Sequence, residues 1–300
     1  MNFEWGTKTY VMGIINLTPD SFSGDGVLPR SDLGNPTKVR PWWREAVEQG
    51  RRMEAEGADI LDIGGESTRP ASTPVTLEEE LLRVIPAVEA LVKAVHIPIS
   101  IDTYKAEVAR QAIAAGAQMV NDVWAGCMEP DILNVAAKSG VPIVLMHNRS
   151  EAPARGGSAL GRKDVQVDGK LGGRYVGVEY DDVLSDIKKE LQERILAARA
   201  AGVRKENIII DPGIGFGKTV EQNLELVRRL DELKTLGHPI LVGPSRKSFV
   251  GYTLNLSPDE RLEGSLAAVT LCIQKGADIV RVHDVLEGRR AAAFTDAVVR

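Results

Sequence analysis

The sequence predicts an α/β chain folded as one (β/α)8 TIM barrel domain over residues 1–300, with long loops after strands one and five. Three observations carry this. Eight short apolar runs, rich in β-branched residues and bounded by Gly, Pro or Asn, read as buried parallel strands. Amphipathic segments of helical period lie between them. A length of 300 residues with 43% hydrophobic content suits a single α/β barrel. Alternation does not report closure, so an open doubly wound sheet also satisfies it; eight units favour the closed form.

The strand runs are "YVMGIIN" (10–16), "DILDIGG" (59–65), "IPISID" (97–102), "QMVND" (118–122) and "VPIVLMH" (141–147). They continue with "NIIIDPG" (207–213), "HPILVG" (238–243) and "DIVRVHD" (278–284). Among the helices, 76–95 places Leu77, Leu81, Ile85, Val88 and Val92 on one face, opening on a Thr76/Glu79 capping box. Segment 181–201 repeats Val183, Ile187, Leu191 and Ile195 at i+4. The helix near 258–275 opens on Ser257 as N-cap, with Pro258 first and Glu260 three after the cap. Three helices reach the next strand through one kind of joint, "EGADI", "AGAQM" and "KGADI", a weak repeat of the βα unit. Residues 17–40 and 148–180 break the rhythm, and the second reads as a loop insertion. Loops beyond about 12–15 residues are usually functional or disordered. Both follow strands and so belong to the carboxyl-end face, where barrel active sites are built.

A net charge of −5 and a pI near 5.6 argue against nucleic acid or a membrane surface as partner. Cys127 and Cys272 form neither a disulfide framework nor a metal spacing, and both are expected in apolar packing. The start "MNFEWGTKTY" lacks a signal-peptide pattern, and no window holds 18 uninterrupted apolar residues. A cytoplasmic protein is expected.

Each strand delivers polar groups at its carboxyl end. These are Asn16, the run Glu66-Ser67-Thr68-Arg69, Asp102, Asn121, His147, Asp211, the cluster Ser245-Arg246-Lys247-Ser248, and Arg281 with His283. One such residue is commonly a turn cap; eight strands in phase are not. Asp102, Asn121 and Asp211 suit a flat, donor-rich heterocycle, whereas Lys247, Arg281 and His283 suit phosphate. The stretch "DPGIGFGKT" (211–219) resembles a nucleotide loop but fails both templates: a P-loop needs Gly at Pro212, and a dinucleotide fingerprint needs Gly at Lys218. It reads instead as the sixth βα loop, with Asp211 in the site and Phe216 placed to lie on a ring. Its glycines allow close approach, and Lys218-Thr219 begin the sixth helix.

"NLTPDSFSGDG" (16–26), "DIGGESTRP" (62–70), "ISIDTYK" (99–105), "VNDV" (120–123), "IIIDPGIGFGKT" (208–219), "GPSRKSFVG" (243–251), "RLEGSLAA" (261–268) and "VRVHDV" (280–285) together resemble the dihydropteroate synthase family, in order and over nearly the whole chain. The resemblance implies a homodimeric barrel of folate biosynthesis. Such an enzyme joins 6-hydroxymethyl-7,8-dihydropterin diphosphate to p-aminobenzoate with Mg2+, giving dihydropteroate and pyrophosphate. It implies that Asp102, Asn121, Asp211 and Lys247 hold the pterin, with Lys247, Asp102 and Asp211 as the catalytic set. Arg281 and His283 would meet the diphosphate, and Asn16 the metal. Thr68 would face both substrates, with Arg69, Pro70, Phe216 and Ser248 bordering the aminobenzoate. Loops 16–35 and 64–75 would close over the site.

Some positions depart from the family pattern. SFSGDG stands where SFSDGG is common, shifting Asp25 by one; Ala71 replaces a usual glycine; and 148–180 is longer than usual. Two other readings share part of the pattern. A pterin-dependent methyltransferase acting on a corrinoid protein needs the Asp and Asn residues but not NLTPDSF or SRKSF. A non-catalytic pterin-binding homologue would not need Asn16, Lys247, Arg281 and His283 together.

Overall fold

The structure is a computed structural model describing residues 3–18, 43–67, 74–150, 163–165, 175–177 and 179–300. Much of the long loops expected after strands one and five lies outside the described residues.

Eight parallel strands form one sheet: β1 (Tyr10–Asn16), β2 (Ile60–Gly64), β3 (Ile99–Asp102), β4 (Met119–Asp122), β5 (Ile143–Met146), β8 (Ile208–Asp211), β9 (Leu241–Val242) and β10 (Ile279–Val282). Their order is β9-β10-β1-β2-β3-β4-β5-β8, and a parallel bridge from Ile210 to Ile240 joins the two ends. The sheet closes, so the barrel holds and the open sheet does not. β6 (Lys163–Val165) and β7 (Tyr175–Gly177) pair antiparallel inside the 148–180 segment, which the sequence pattern did not reveal. β1 fills its apolar run, whereas the other barrel strands are shorter than theirs, some because Gly or Pro flanks leave the ladder. The run 238–243, for example, contracts to Leu241–Val242 beside Pro239, which has no N–H to give.

The helices are α1 (Trp43–Ala55), α2 (Leu77–Val92), α3 (Ala106–Ala114), α4 (Asp131–Ser139), α5 (Val183–Ala200), α6 (Val220–Arg228), α7 (Ser248–Leu254), α8 (Leu262–Gln274) and α9 (Val285–Val299). One follows each strand, with α7 an additional short helix ahead of α8. In α5 the expected Val183, Ile187, Leu191 and Ile195 are all buried. In α2 the face differs from expectation. Glu80, Arg83, Val84, Ala87, Val88 and Leu91 are buried, while Val92 is exposed. The stripe turns because two charged residues on it find buried partners. Glu80 meets Lys105 at 2.5 Å, and Arg83 donates to the Gly65 carbonyl at 2.7 Å. Thr76 caps α2 by accepting from the Glu79 N–H, and the Glu79 carboxylate pairs with Arg83. The Ser257–Glu260 capping box forms, but it heads a 3-10 turn (Pro258–Glu260) just before α8. Cys272 is buried as expected, whereas Cys127 is exposed beside Arg194.

The repeated joint has a physical explanation. At Gly57, Gly116 and Gly276 the backbone is left-handed, with φ of 96°, 114° and 99°. The N–H of the alanine after each glycine reaches back five residues, to Met53, Ala112 and Cys272. This is a Schellman stop. In the two joints ending in Asp, the carboxylate then accepts a backbone N–H from the neighbouring strand region: Asp59 from Val11 at 2.9 Å, and Asp278 from Ile240 at 2.9 Å. One short motif thus ends a helix and fixes the start of the next strand.

The amino end of the barrel is filled with apolar side chains. Tyr10, Met12, Ile60, Met119, Val144, Ile209, Leu241 and Ile279 pack together, and Phe3 and Trp5 lie against them. Each such side chain contributes roughly 1.5–3 kcal/mol. The charged groups inside the barrel therefore lie toward its carboxyl half, with Ser100 beside the floor residue Met119.

Asp59→Ala and Asp278→Ala should each lower the unfolding free energy by about 1–3 kcal/mol, because a strand N–H loses its acceptor. Their effects should add in urea melts, as the joints are separate.

Candidate active site

Strand register assembles the site. Asn16 pairs with Gly64, Gly64 with Asp102, Asp102 with Asn121, and Met146 with Asp211. Side chains alternate in and out along a strand, so Asp102, Asn121, Asp211 and Arg281 turn into the barrel together. Asp62 sits one inward step below Gly64.

Arg281 is the hub. Its Nε donates to Asp62 Oδ2 at 2.6 Å and its Nη2 to Asp102 Oδ2 at 2.7 Å. Asn121 Nδ2 donates to the same Asp62 oxygen at 2.9 Å. Asp62 is wholly buried, and its Oδ1 has no hydrogen-bond partner. Sequence reading passed over Asp62, although an aspartate at the centre of the apolar run "ILDIG" was a usable signal. Burial raises the Asp102 pKa, Arg281 opposes the shift, and the Asp62 charge adds to it. Burial also pushes Asp211 up to about 6, against the Gly213 N–H, at 2.7 Å from its Oδ1, and the nearby Lys247. His283 Nδ1 lies 3.1 Å from Ser245 Oγ, which also accepts the His283 N–H at 3.2 Å. Asn16 ends β1 at the mouth, and Ser248 opens α7.

The loop "DPGIGFGKT" connects β8 to α6 without a phosphate-binding template. Gly213 and Gly217 adopt φ of 69° and 63°. A Cβ on Gly213 would stand 1.9 Å from the His147 carbonyl oxygen, and one on Gly217 would stand 2.6 Å from the Arg149 carbonyl carbon. These glycines let the loop lie directly on the chain leaving β5, which is the close approach expected of them. Phe216 faces the site, with Lys247 Nζ 3.9 Å from its ring centroid. Thr219 is the N-cap of α6 in a full capping box with Gln222. Lys218 corrects the expectation that it starts that helix: it is wholly buried under the loop.

Three residues of the polar ring turn away from the barrel centre. His147 faces α5, with Nε2 3.0 Å from Glu190 Oε2. Glu66 pairs with Lys105. Arg246 forms a forked pair with Asp284. Glu66 and Arg246 have ion partners in neighbouring loops, and the His147 ring faces the Glu190 carboxylate on α5; these partners set the three directions. Thr68, Arg69, Pro70 and Asp25 lie outside the described residues. Among the described residues, no three His, Cys, Asp or Glu side chains cluster as a metal cage.

The Asp211 shift has a stability consequence. With a folded pKa near 6 against an ordinary 3.8, the buried carboxylate destabilises the fold above pH 6. Below 3.8 it is protonated in both folded and unfolded states, and the penalty is absent. Stability from this group therefore falls as pH rises through that window. Asp211→Asn should stabilise the ligand-free protein at pH 8 by about 3 kcal/mol. Thermal melts should show that gain vanishing in acid.

Comparison with known proteins agrees with this geometry. The pterin binding enzyme family matches residues 12–283. The dihydropteroate synthase of Clostridium beijerinckii is 47% identical over 99% of this chain and 97% of its own length. A solved dihydropteroate synthase from Clostridium difficile, determined in the presence of pteroic acid, superposes with a TM-score of 0.83 at 42% identity, covering all of both chains. The Xanthomonas albilineans dihydropteroate synthase in complex with 7,8-dihydropteroate gives 0.76 at 39% identity, over 97% of this chain and 94% of that one. With eight strands in the same architecture and a polar mouth at their carboxyl ends, the chain belongs to the dihydropteroate synthase family of pterin-binding enzymes.

Proposed function

We propose that the chain condenses 6-hydroxymethyl-7,8-dihydropterin diphosphate with p-aminobenzoate, releasing pyrophosphate and 7,8-dihydropteroate for folate biosynthesis. The observation that carries this reading is the convergence of Asp102, Asn121 and Asp211 with Arg281 and Lys247 inside one barrel mouth. The acidic and amide groups match the ring N–H groups of a pterin, and the cations match a departing diphosphate.

In this reading Asp102, Asn121 and Asp211 hold the pterin edge, and Lys247 lies along it. Arg281, released in part from Asp62 and Asp102 as substrate enters, turns its donors to the diphosphate with His283. The bond between the pterin methylene and the diphosphate oxygen breaks, and the electron pair leaves with oxygen. The carboxylates of Asp102 and Asp211 stabilise the positive charge left on the pterin. The aniline nitrogen then forms the C–N bond and loses a proton. Phe216 and Ser248, with Thr68, Arg69 and Pro70, border the aminobenzoate. Ser245 Oγ lies 3.1 Å from His283 Nδ1 and accepts the His283 backbone N–H, which fits it to orient that ring, and the condensation needs no covalent intermediate.

A single carboxamide oxygen at Asn16 suits Mg2+, which takes hard oxygen donors and usually keeps waters and substrate phosphates as its other ligands. Asn16 would hold that ion, whose charge, when bound, helps neutralise the diphosphate. We further propose one domain over the whole chain, a cytoplasmic location and a homodimer. Among the described residues no helix is long and apolar enough to cross a membrane. Leu271, Phe294 and Val298 on α8 and α9 are exposed apolar side chains that a partner subunit would cover.

The test mixes protein, dihydropterin diphosphate, p-aminobenzoate and Mg2+ and follows both products. Equal release of pyrophosphate and dihydropteroate is expected, with dihydropteroate dependent on p-aminobenzoate. Pterin binding without turnover would overturn the catalytic reading. Lys247→Ala should lower kcat/KM by roughly a hundredfold or more while leaving the thermal melt unchanged, since the loss is of transition-state charge stabilisation.

A further inference from the structure

Lys218 is wholly buried, and that burial demands a reason. A lysine ammonium has three donors and no acceptor, and burying it unpaired costs several kcal/mol. Burial pulls Lys218 down to about 7, opposed by the Asp211 and Glu190 charges, and its Nζ sits among three acceptors. Nζ lies 2.9 Å from the Gly213 carbonyl oxygen, 3.0 Å from that of Phe216, and 3.1 Å from His147 Nδ1. Two of these acceptors are the backbone of the loop that carries Phe216. The third belongs to the end of β5, across the loop. Burial pushes the His147 imidazole down to about 4, so at neutral pH its Nδ1 is available to accept, and Nε2 faces Glu190.

The surrounding contacts extend the same lock. Tyr180 Oη donates to the Gly217 carbonyl at 3.1 Å, and Gly215 N–H donates to Asn223 Oδ1 at 2.7 Å. Arg149 stacks over the Tyr180 ring at 4.1 Å and donates to the Glu179 carbonyl at 2.8 Å. The two ends of the 151–178 segment are therefore tied to the loop bearing Phe216.

We propose that Lys218 is a positioning residue for the condensation, its Nζ clamping the β8–α6 loop so that Phe216 is held against Lys247 at the aminobenzoate side of the mouth. The inference rests on the proposed place of Phe216 beside the aminobenzoate. Without the clamp, the Gly213 and Phe216 carbonyls lose their shared donor, and the ring is held less closely by the remaining bonds at Gly215 and Gly217.

The experiment is a double-mutant cycle on the full chain, with KM measured separately for each substrate. Lys218→Met keeps the length and apolar stem of the side chain but removes Nζ and its donors. It should raise KM for p-aminobenzoate about tenfold and change KM for the pterin diphosphate little. Phe216→Ala should raise the same KM. In the double variant the two effects should not multiply, because Lys218 acts through Phe216. A general loss of structure would instead shift both KM values and the melt together. His147→Leu, which takes away one of the three acceptors, should give the same split in smaller degree, and it serves the test if Lys218→Met does not fold. If Phe216→Ala leaves the aminobenzoate KM unchanged, the reading of Phe216 fails and the proposal with it. If Phe216→Ala raises that KM while folded Lys218→Met and His147→Leu do not, or if the effects multiply, the clamp alone is overturned.

Discussion

A guanidinium shared by two carboxylates inside a barrel sets the terms for everything around it. Arg281 holds Asp62 and Asp102 at 2.6 and 2.7 Å, and Asp62 is wholly out of water. Bringing such charges inside costs several kcal/mol each unless they are paired, and removing one partner typically costs 3–5 kcal/mol. The barrel meets this by placing Arg281 on β10 in reach of β2 and β3, across a closed sheet. The apolar floor from Tyr10 to Ile279 closes the amino end and leaves the charged groups to the carboxyl side. A site that must receive a cation-forming heterocycle and an anionic leaving group is thus already electrostatically divided before any substrate enters.

Rigidity in the mouth comes from backbone contacts as much as from side chains. The β8–α6 loop lies on the chain leaving β5 because glycines at 213 and 217 leave no Cβ between them. The same loop ends on the Thr219 capping box, so its far end is fixed by α6. Phe216 is therefore carried by a loop with both ends tied, and Lys247 reaches its ring from the next βα unit. The closed geometry of the barrel supplies the frame, and the loop chemistry supplies the precision.

Much of this was legible in the sequence. β-branched runs and Gly-Ala joints announced the βα repeat, because Schellman stops and buried strands have strong local signatures. Asp102, Asn121, Asp211 and Arg281 stood at strand ends, and strand alternation turned all four inward. The direction of His147, Glu66 and Arg246 was not legible, since each is turned outward by a partner far away in sequence: Glu190, Lys105 and Asp284. The buried face of α2 was misread for the same reason, as charged Glu80 and Arg83 enter the interior only because Lys105 and the Gly65 carbonyl meet them. Lys218 was hidden by its place beside a helix start, where a lysine usually faces solvent. Closure of the sheet also depends on long-range pairing, at Ile210 and Ile240, that periodicity does not register.

The most direct test of the account is calorimetric titration of the protein with 6-hydroxymethylpterin, with wild type and Asp102→Asn compared. A single site per chain is expected, weakened about tenfold or more in the variant by loss of a charge-assisted hydrogen bond. Equal affinity in both proteins, or no binding to either, would contradict a pterin site built on the carboxylates of the barrel mouth.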